Sequence, residues 1–335
     1  MDAPVRIGVV GVGRIGAMHA EIIARKVDGA QLAAVADVHA PLAEAVALQF
    51  DVPAMTVEEL IASPLVDAVA ICTSTDTHTR LIELAAQHGK AIFCEKPISL
   101  DLAEVDRALA AVEVAGVPLM VGFNRRFDRA HQSVHDAVVT GEVGDVQLAR
   151  ISSRDPAPPP VEYIKVSGGI FVDMMIHDFD MARYVVGSPV VEVYAKGAVM
   201  IDPAIGEAGD VDTASVMLTH ANGAVTMIDN SRQAPYGYDQ RVEVLGLKGM
   251  AASGNPPLHS GITYTADGLR GPVVPNFFLE RYADAFVREW DAFVSYVRDG
   301  GPSPVSGADG RAPVVLAMAA GESMRTGQPV RVLEI

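Results

Sequence analysis

Arg6-Ile-Gly-Val-Val-Gly-Val-Gly-Arg-Ile-Gly16 decides the fold. A short apolar run, Arg6 to Val10, enters Gly11-Val-Gly13-Arg14-Ile15-Gly16 and opens onto a helix-forming stretch, Ile15 to Val27. In such a strand–turn–helix unit the first glycine allows the tight turn. The second lets the backbone approach a pyrophosphate, and the third lets helix and strand pack closely. The helix N-terminus then offers unpaired N–H groups to phosphate. Alone the spacing is weak evidence. It gains force from Asp37, which ends the next β-like run 21 residues after Gly16. A carboxylate there accepts hydrogen bonds from ribose hydroxyls and repels a 2′-phosphate, so NAD is expected over NADP. Val38 and His39 follow it, with no Arg or Lys. A helix cap or turn residue is the plain alternative for Asp37.

The pattern repeats outward. Leu32–Ala36, Ala68–Cys72, Ala91–Cys94 and Leu119–Val121 are short apolar runs without clean alternation, as in strands buried on both faces of a parallel sheet. Between them lie helical stretches at Ala40–Phe50, Val57–Ala62, Thr77–His88 and Leu102–Ala115. This alternation predicts a doubly wound α/β domain over residues 1–122. Past it the texture changes. A helix is expected at Asp128–Thr140, followed by the segment Val146–Ser153, a Pro-rich loop at Asp155–Pro160 and a helix at Ile170–Val186. Four β-like runs follow at Val190–Met200, Thr213–His220, Ala224–Ser231 and Arg241–Leu247. Strands in succession predict a mostly antiparallel sheet, hence an α+β second domain over residues 123–335. The closing helices, near Glu280–Arg298 and Ala308–Arg325, are candidates to pack back on the first domain.

Composition narrows the partners. A net charge of −16 repels nucleic acid and anionic lipid, so neither is expected. No run of 18 apolar residues and no basic-then-apolar leader is present, so neither a membrane span nor secretion is expected. Cys72 and Cys94 are too few for a disulfide scaffold and read as reduced thiols in a cytoplasmic protein.

Ligands of open α/β sheets sit outside the carboxyl ends of the strands, which makes the segments leaving those ends candidates. Cys72-Thr73-Ser74-Thr-Asp-Thr-His78 leaves one strand, so Thr73, Ser74 and His78 are candidate cofactor contacts; helix capping is the alternative. Glu95-Lys96-Pro97 leaves another, placing Lys96 toward the reactive end of the cofactor, with a plausible cis peptide before Pro97. A lysine there can stabilise an alkoxide as hydride leaves. In Gly168-Gly-Ile-Phe-Val-Asp173-Met-Met-Ile-His177-Asp-Phe-Asp180, Asp173 and His177 stand at i and i+4 on a helix. Histidine suits removal of an alcohol proton near neutral pH, and a neighbouring carboxylate orients the ring. Asp180 falls near the same face; Asp178 points elsewhere, toward a surface or interdomain contact. His131 and His135, also i and i+4, read as solvent-facing. No second His or Cys completes a ligand set around Asp173 and His177, so no metal is expected.

Taken together, GVGRIG, Asp37, the TSTDTH stretch, EKP and the DMMIHDFD helix resemble the Gfo/Idh/MocA oxidoreductases over nearly the whole chain. Gly122–Asp128, Ser153–Pro156, Asp202–Asp212 and Ile228–Arg241 resemble the inositol 2-dehydrogenase branch, while Val172 departs from its pattern of a basic or polar residue there. The resemblance implies a Rossmann domain followed by a domain built on an open antiparallel sheet, often used for oligomerisation, here as a tetramer. It implies Lys96, Asp173 and His177 as the catalytic set. It implies cofactor contacts from Gly11, Gly13, Arg14, Ile15, Gly16, Asp37, Thr73, Ser74, His78, Glu95 and Lys96. Asn124, Arg125, Arg154, Asp155 and Tyr236 become candidate substrate or cofactor contacts, each with a salt bridge or turn role as the alternative. The implied activity is NAD-dependent oxidation of a cyclic polyol, myo-inositol to its 2-keto product. Scyllo-inositol or aldose oxidation, an NAD-dependent glycosidase and a non-catalytic NAD sensor are the alternatives.

Overall fold

A computed structural model describes residues 3–332. The chain divides into two compact units: one runs to Asn124 and regains Asp284–Ala312, and the other holds Arg125–Ala283 and the chain from Pro313 onward.

The first unit alternates β1 (Val5–Val10), α1 (Arg14–Arg25), β2 (Ala30–Ala36), α2 (Ala40–Phe50), β3 (Ala54–Met55), α3 (Val57–Ala62), β4 (Ala68–Ile71), α4 (Thr75–Gln87), β5 (Ala91–Glu95), α5 (Leu102–Ala115) and β6 (Leu119–Gly122). Its six strands pair in parallel in the order β3-β2-β1-β4-β5-β6. Ile7, Val9, Val35, Val69, Ile71 and Phe93 are fully buried, which is why these runs are apolar throughout and do not alternate. The order reverses between β1 and β4, so the crevice for a ligand lies where β1 and β4 end.

The second unit carries α6 (Arg129–Val139), β7 (Val146–Arg154), α7 (Val161–Ile164), α8 (Gly169–Asp173), α9 (Ile176–Val186), β8 (Val190–Ala198), α10 (Pro203–Glu207), β9 (Thr213–His220), β10 (Val225–Ser231), β11 (Asp239–Gly246), β12 (Met250–Ser253), the hairpin β13 (Thr263–Thr265) and β14 (Gly268–Arg270), and α11 (Phe278–Arg281). After them come α12 (Ala283–Asp299), α13 (Gly307–Thr326) and β15 (Val330–Arg331). The large sheet runs β12-β11-β7-β10-β9-β8-β15, antiparallel except where β7 meets β10. On β9, Ala214, Val216 and Leu218 are buried while Ser215 and Met217 are exposed, the alternation of a sheet covered on one face only. Phe171, Met175, Phe179 and Val185 of the covering helices meet Ile151, Val216, Leu218 and Ile228 in one core. α12 packs in the first unit, where the fully buried Trp290 ring lies 4.5 Å from that of Phe93.

Three local expectations are corrected. The helix expected over Ile170–Val186 is two helices. The Met174 and Met175 amides share the Ile170 carbonyl, at 3.2 and 2.9 Å, and the second bond spans five residues as in a π-bulge. The extra residue takes Asp173 and His177 out of simple i, i+4 register. His131 does not face solvent: it is buried, with Nδ1 2.7 Å from Ser253 Oγ and Nε2 3.3 Å from Tyr282 Oη. His135 stacks on Tyr184 at 3.8 Å. Asp178 is fully buried rather than on a surface, because Arg125 Nη1 at 2.7 Å and Asn230 Nδ2 at 2.8 Å compensate its charge inside the second unit.

Candidate active site

In the first unit, β1 delivers Gly11 at φ +83°, where an added Cβ would stand 2.8 Å from the Cys72 backbone. A Cβ on Gly16 would run into the Gly11 carbonyl, so α1 can seat against the turn only without one. Gly13 differs: nothing lies within 4 Å of where its Cβ would be. That open cradle sits at the N-terminus of α1, whose first turn has no side-chain cap and no acidic residue. A diphosphate fits such a place, since free N–H donors and the helix dipole both favour it. Asp37 is set at the far side by its own bonds, with Oδ2 accepting from Val12 N at 2.8 Å and Oδ1 from His39 N at 2.9 Å. Val38 beside it is 96% exposed, leaving room for an adenosine. These residues fit NAD.

At the ends of β4 and β5, Thr73 Oγ1 pairs with Thr77 Oγ1 at 2.6 Å, and Ser74 is the exposed N-cap of α4. His78 is buried between two carbonyls, with Nδ1 2.8 Å from Pro97 O and Nε2 3.1 Å from Thr73 O. Burial pulls its pKa below the usual imidazole value. The neutral ring donates to one of these carbonyls and packs against the other, so it sits between the Thr73 loop and the Lys96–Pro97 loop, and the Lys96–Pro97 peptide is cis. Glu95 is braced from inside the unit. The Trp290 indole N–H can only donate, so His19 Nδ1 accepts it at 2.8 Å. That leaves His19 Nε2–H to donate to Glu95 Oε1 at 2.8 Å, while Glu95 Oε2 accepts from the Lys96 amide at 3.3 Å. Lys96 is half-buried and Asn124 is buried.

In the second unit Asp155 lies within electrostatic reach of Asp173; both are half-buried, as is His177. Burial, then the Asp173 charge, push the Asp155 carboxyl up to about 6, with Arg125 and Arg232 pulling the other way. Asp173 Oδ1 accepts from Tyr163 Oη at 2.7 Å, and its Oδ2 from Arg232 Nη1 at 3.0 Å. Arg154 and Tyr236 join a different cluster. Arg154 Nη1 donates to Tyr236 Oη at 3.0 Å and Nε to Asp229 at 3.0 Å, while Tyr236 Oη donates to Asp239 at 2.6 Å. Asp229 and Arg154 belong to the open side of the sheet, since strand neighbours alternate faces. Among the described residues no group of three His, Cys, Asp or Glu could hold a metal ion.

Sequence reasoning missed Arg232 and Tyr163, which hold Asp173, Asp210, which shares Arg232 with it, and the His19–Trp290 brace of Glu95. Each partner lies ten or more residues away in the chain, beyond any periodicity. One signal was available: an arginine, Arg232, at the end of an otherwise apolar–polar strand pattern asks for a buried counter-charge.

Comparison with known proteins matches residues 5–123 to an oxidoreductase family with an NAD-binding Rossmann fold and residues 131–252 to the GFO/IDH/MocA C-terminal domain. The chain is 47% identical to myo-inositol 2-dehydrogenase of Thermotoga maritima, over 98% of this chain and 99% of that protein. It is 48% identical to inositol 2-dehydrogenase of Rhizobium meliloti, over 96% and 97%. It is 36% identical to scyllo-inositol 2-dehydrogenase (NAD(+)) of Bacillus subtilis, over 99% and 97%. Among solved structures it is similar to a myo-inositol dehydrogenase from Corynebacterium glutamicum, with a TM-score of 0.94 at 38% identity over 99% and 100% of the two chains. It is also similar to scyllo-inositol dehydrogenase from Lactobacillus casei with bound NAD(H) and scyllo-inositol, with a TM-score of 0.91 at 29% identity over 98% of this chain and 99% of that one.

Proposed function

Because the chain belongs to the Gfo/Idh/MocA oxidoreductase family, we propose that it is an NAD-dependent dehydrogenase that oxidises myo-inositol to 2-keto-myo-inositol with formation of NADH. The observation that carries this is the identity of 47–48% to two inositol 2-dehydrogenases across nearly the whole of all three chains. The cradle at Gly13 and the carboxylate of Asp37 support NAD as the cofactor.

NAD, when bound, accepts the carbinol hydride on its nicotinamide ring. The chain's own residues handle the oxygen and its proton. Lys96 donates a hydrogen bond to the reacting hydroxyl oxygen and stabilises it as the proton leaves. His177 accepts that proton, and Asp173 sets the orientation of His177. Asp155 and Asn124 are further polyol contacts on this reading, while Arg154 and Tyr236, held in their own cluster with Asp229 and Asp239, are not among them. A second reading, scyllo-inositol as substrate, is favoured by the 36% identity to an enzyme of that specificity.

Absorbance at the NADH band, with NAD or NADP against myo-inositol, scyllo-inositol, chiro-inositol and glucose, tests both readings. NADH formation is expected with NAD and fastest with myo-inositol. A faster rate with scyllo-inositol would select the second reading, and silence with every inositol would discard both.

We also infer a cytoplasmic homotetramer. The open face of the large sheet supports the assembly, and two free thiols, Cys72 and Cys94, support the compartment.

A further inference from the structure

We propose that Arg232 and Tyr163 are positioning residues that clamp the Asp173 carboxylate from its two sides. The inference rests on the reading that places Asp173 in the catalytic set.

Arg232 is 1% exposed, so its charge must be met inside the protein. Its guanidinium fork bridges two carboxylates, with Nη1 3.0 Å from Asp173 Oδ2 and Nη2 3.3 Å from Asp210 Oδ2. Asp210 is fastened in turn: its Oδ1 accepts from the Ile170 amide at 3.0 Å, in the first turn of α8. Gly169 makes room for that contact, since a Cβ there would lie 2.8 Å from Asp210 Oδ1. Arg232 thus ties the end of α8, where Asp173 stands, to the carboxylate that holds its beginning. The Arg232 amide donates to Asp212 O at 2.8 Å, which fixes the root of the side chain.

Tyr163 approaches from the other side. It is half-exposed on α7, and its hydroxyl donates to Asp173 Oδ1 at 2.7 Å. A carboxylate held through both oxygens loses rotational freedom about its last torsion, which is what a group that orients a base requires. Lysine cannot replace Arg232 here, because a single ammonium cannot span two carboxylates as a planar fork does.

Steady-state kinetics with NAD and myo-inositol, paired with NADH fluorescence titration, tests the clamp on Asp173→Asn, Arg232→Lys, Tyr163→Phe and the Asp173→Asn/Arg232→Lys double variant. Asp173→Asn is expected to lower kcat by about a hundredfold, Arg232→Lys by about tenfold and Tyr163→Phe by about threefold, with KM and NADH affinity moving less than kcat. Because both residues act through Asp173, the double variant is expected to be no slower than Asp173→Asn alone. Wild-type kcat in Arg232→Lys and Tyr163→Phe beside a disabled Asp173→Asn would overturn the clamp. So would losses that multiply in the double variant. Near-normal turnover by Asp173→Asn would instead overturn the reading on which the clamp rests. Tyr163→Phe removes one oxygen from a half-exposed ring, so it decides the matter if Arg232→Lys fails to fold.

Discussion

At the scale of single residues, the second unit keeps a carboxyl where folding alone would not put one. Asp155 sits near Asp173 with its carboxyl pushed up to about 6, first by burial and then by that neighbour. The folded protein therefore holds a proton there at pH values where the unfolded chain, near the ordinary value of about 3.9, has lost it. Folding stability from this group is present in acid and lost as pH rises through the interval from about 4 to 6. Asp155→Asn should remove that loss: its melting temperature should match the wild type near pH 4 and exceed it above pH 6. If Asp155 contacts the polyol as proposed, turnover of myo-inositol should fall as well, because a hydroxyl then loses its charged acceptor. Equal pH dependence of melting in the two proteins would show that Asp155 is not held in this way. On the proposed function, Lys96 and His177 act on the reacting oxygen and its proton directly. Alanine at either should lower kcat by about a thousandfold while NADH binding, read by fluorescence, changes by less than about threefold. Full turnover by either variant would remove that residue from the mechanism.

Elements show which parts of the molecule are legible in one dimension. The parallel sheet could be read because strands buried on both faces must be apolar throughout, as Val69–Ile71 and Ile92–Cys94 are. The turn after β1 could be read because three glycines each meet a separate steric demand. Two of those demands come from the protein itself, at Gly11 and Gly16, and one does not. Gly13→Ala should therefore fold normally and melt within about 2 °C of wild type, yet bind NAD at least tenfold more weakly, since its methyl enters the space reserved for the diphosphate. Gly16→Ala should lose stability even without NAD. Unimpaired NAD binding by Gly13→Ala, measured by calorimetry, would mean that the cradle is not the diphosphate site. What could not be read was decided by partners far along the chain. His131 looks solvated on a polar helix until Ser253 and Tyr282 close over it, and Asp178 looks like a surface acid until Arg125 and Asn230 enclose it. The break between α8 and α9 carries no glycine or proline; it comes from Ile170, whose carbonyl serves two amides and whose own amide is held by Asp210.

For the whole molecule, the large sheet poses a question that one chain leaves open. Its helix-covered face is filled, while the other face presents Leu148, Met217, Met227 and Leu245, each more than a third exposed. The register makes these a continuous patch, because Met217 pairs with Met227 across β9 and β10, Val225 with Leu148, and Leu148 with Leu245. Contiguous apolar patches of this kind mark surfaces that associate. A second copy meeting the patch face to face would satisfy the self-complementarity that a two-fold interface needs. Long-range electrostatics oppose the assembly, since every copy carries −16, so added salt should favour it. The homotetramer should then appear by light scattering at about 0.15 M salt, and the Met217→Glu/Met227→Glu pair should shift it to smaller species, because buried like charges cost several kcal/mol at an interface. Tyr194 pairs with Met217 one strand further on, and Tyr194→Glu should act in the same direction. A tetramer that survives all three changes would move the interface to another surface of the chain.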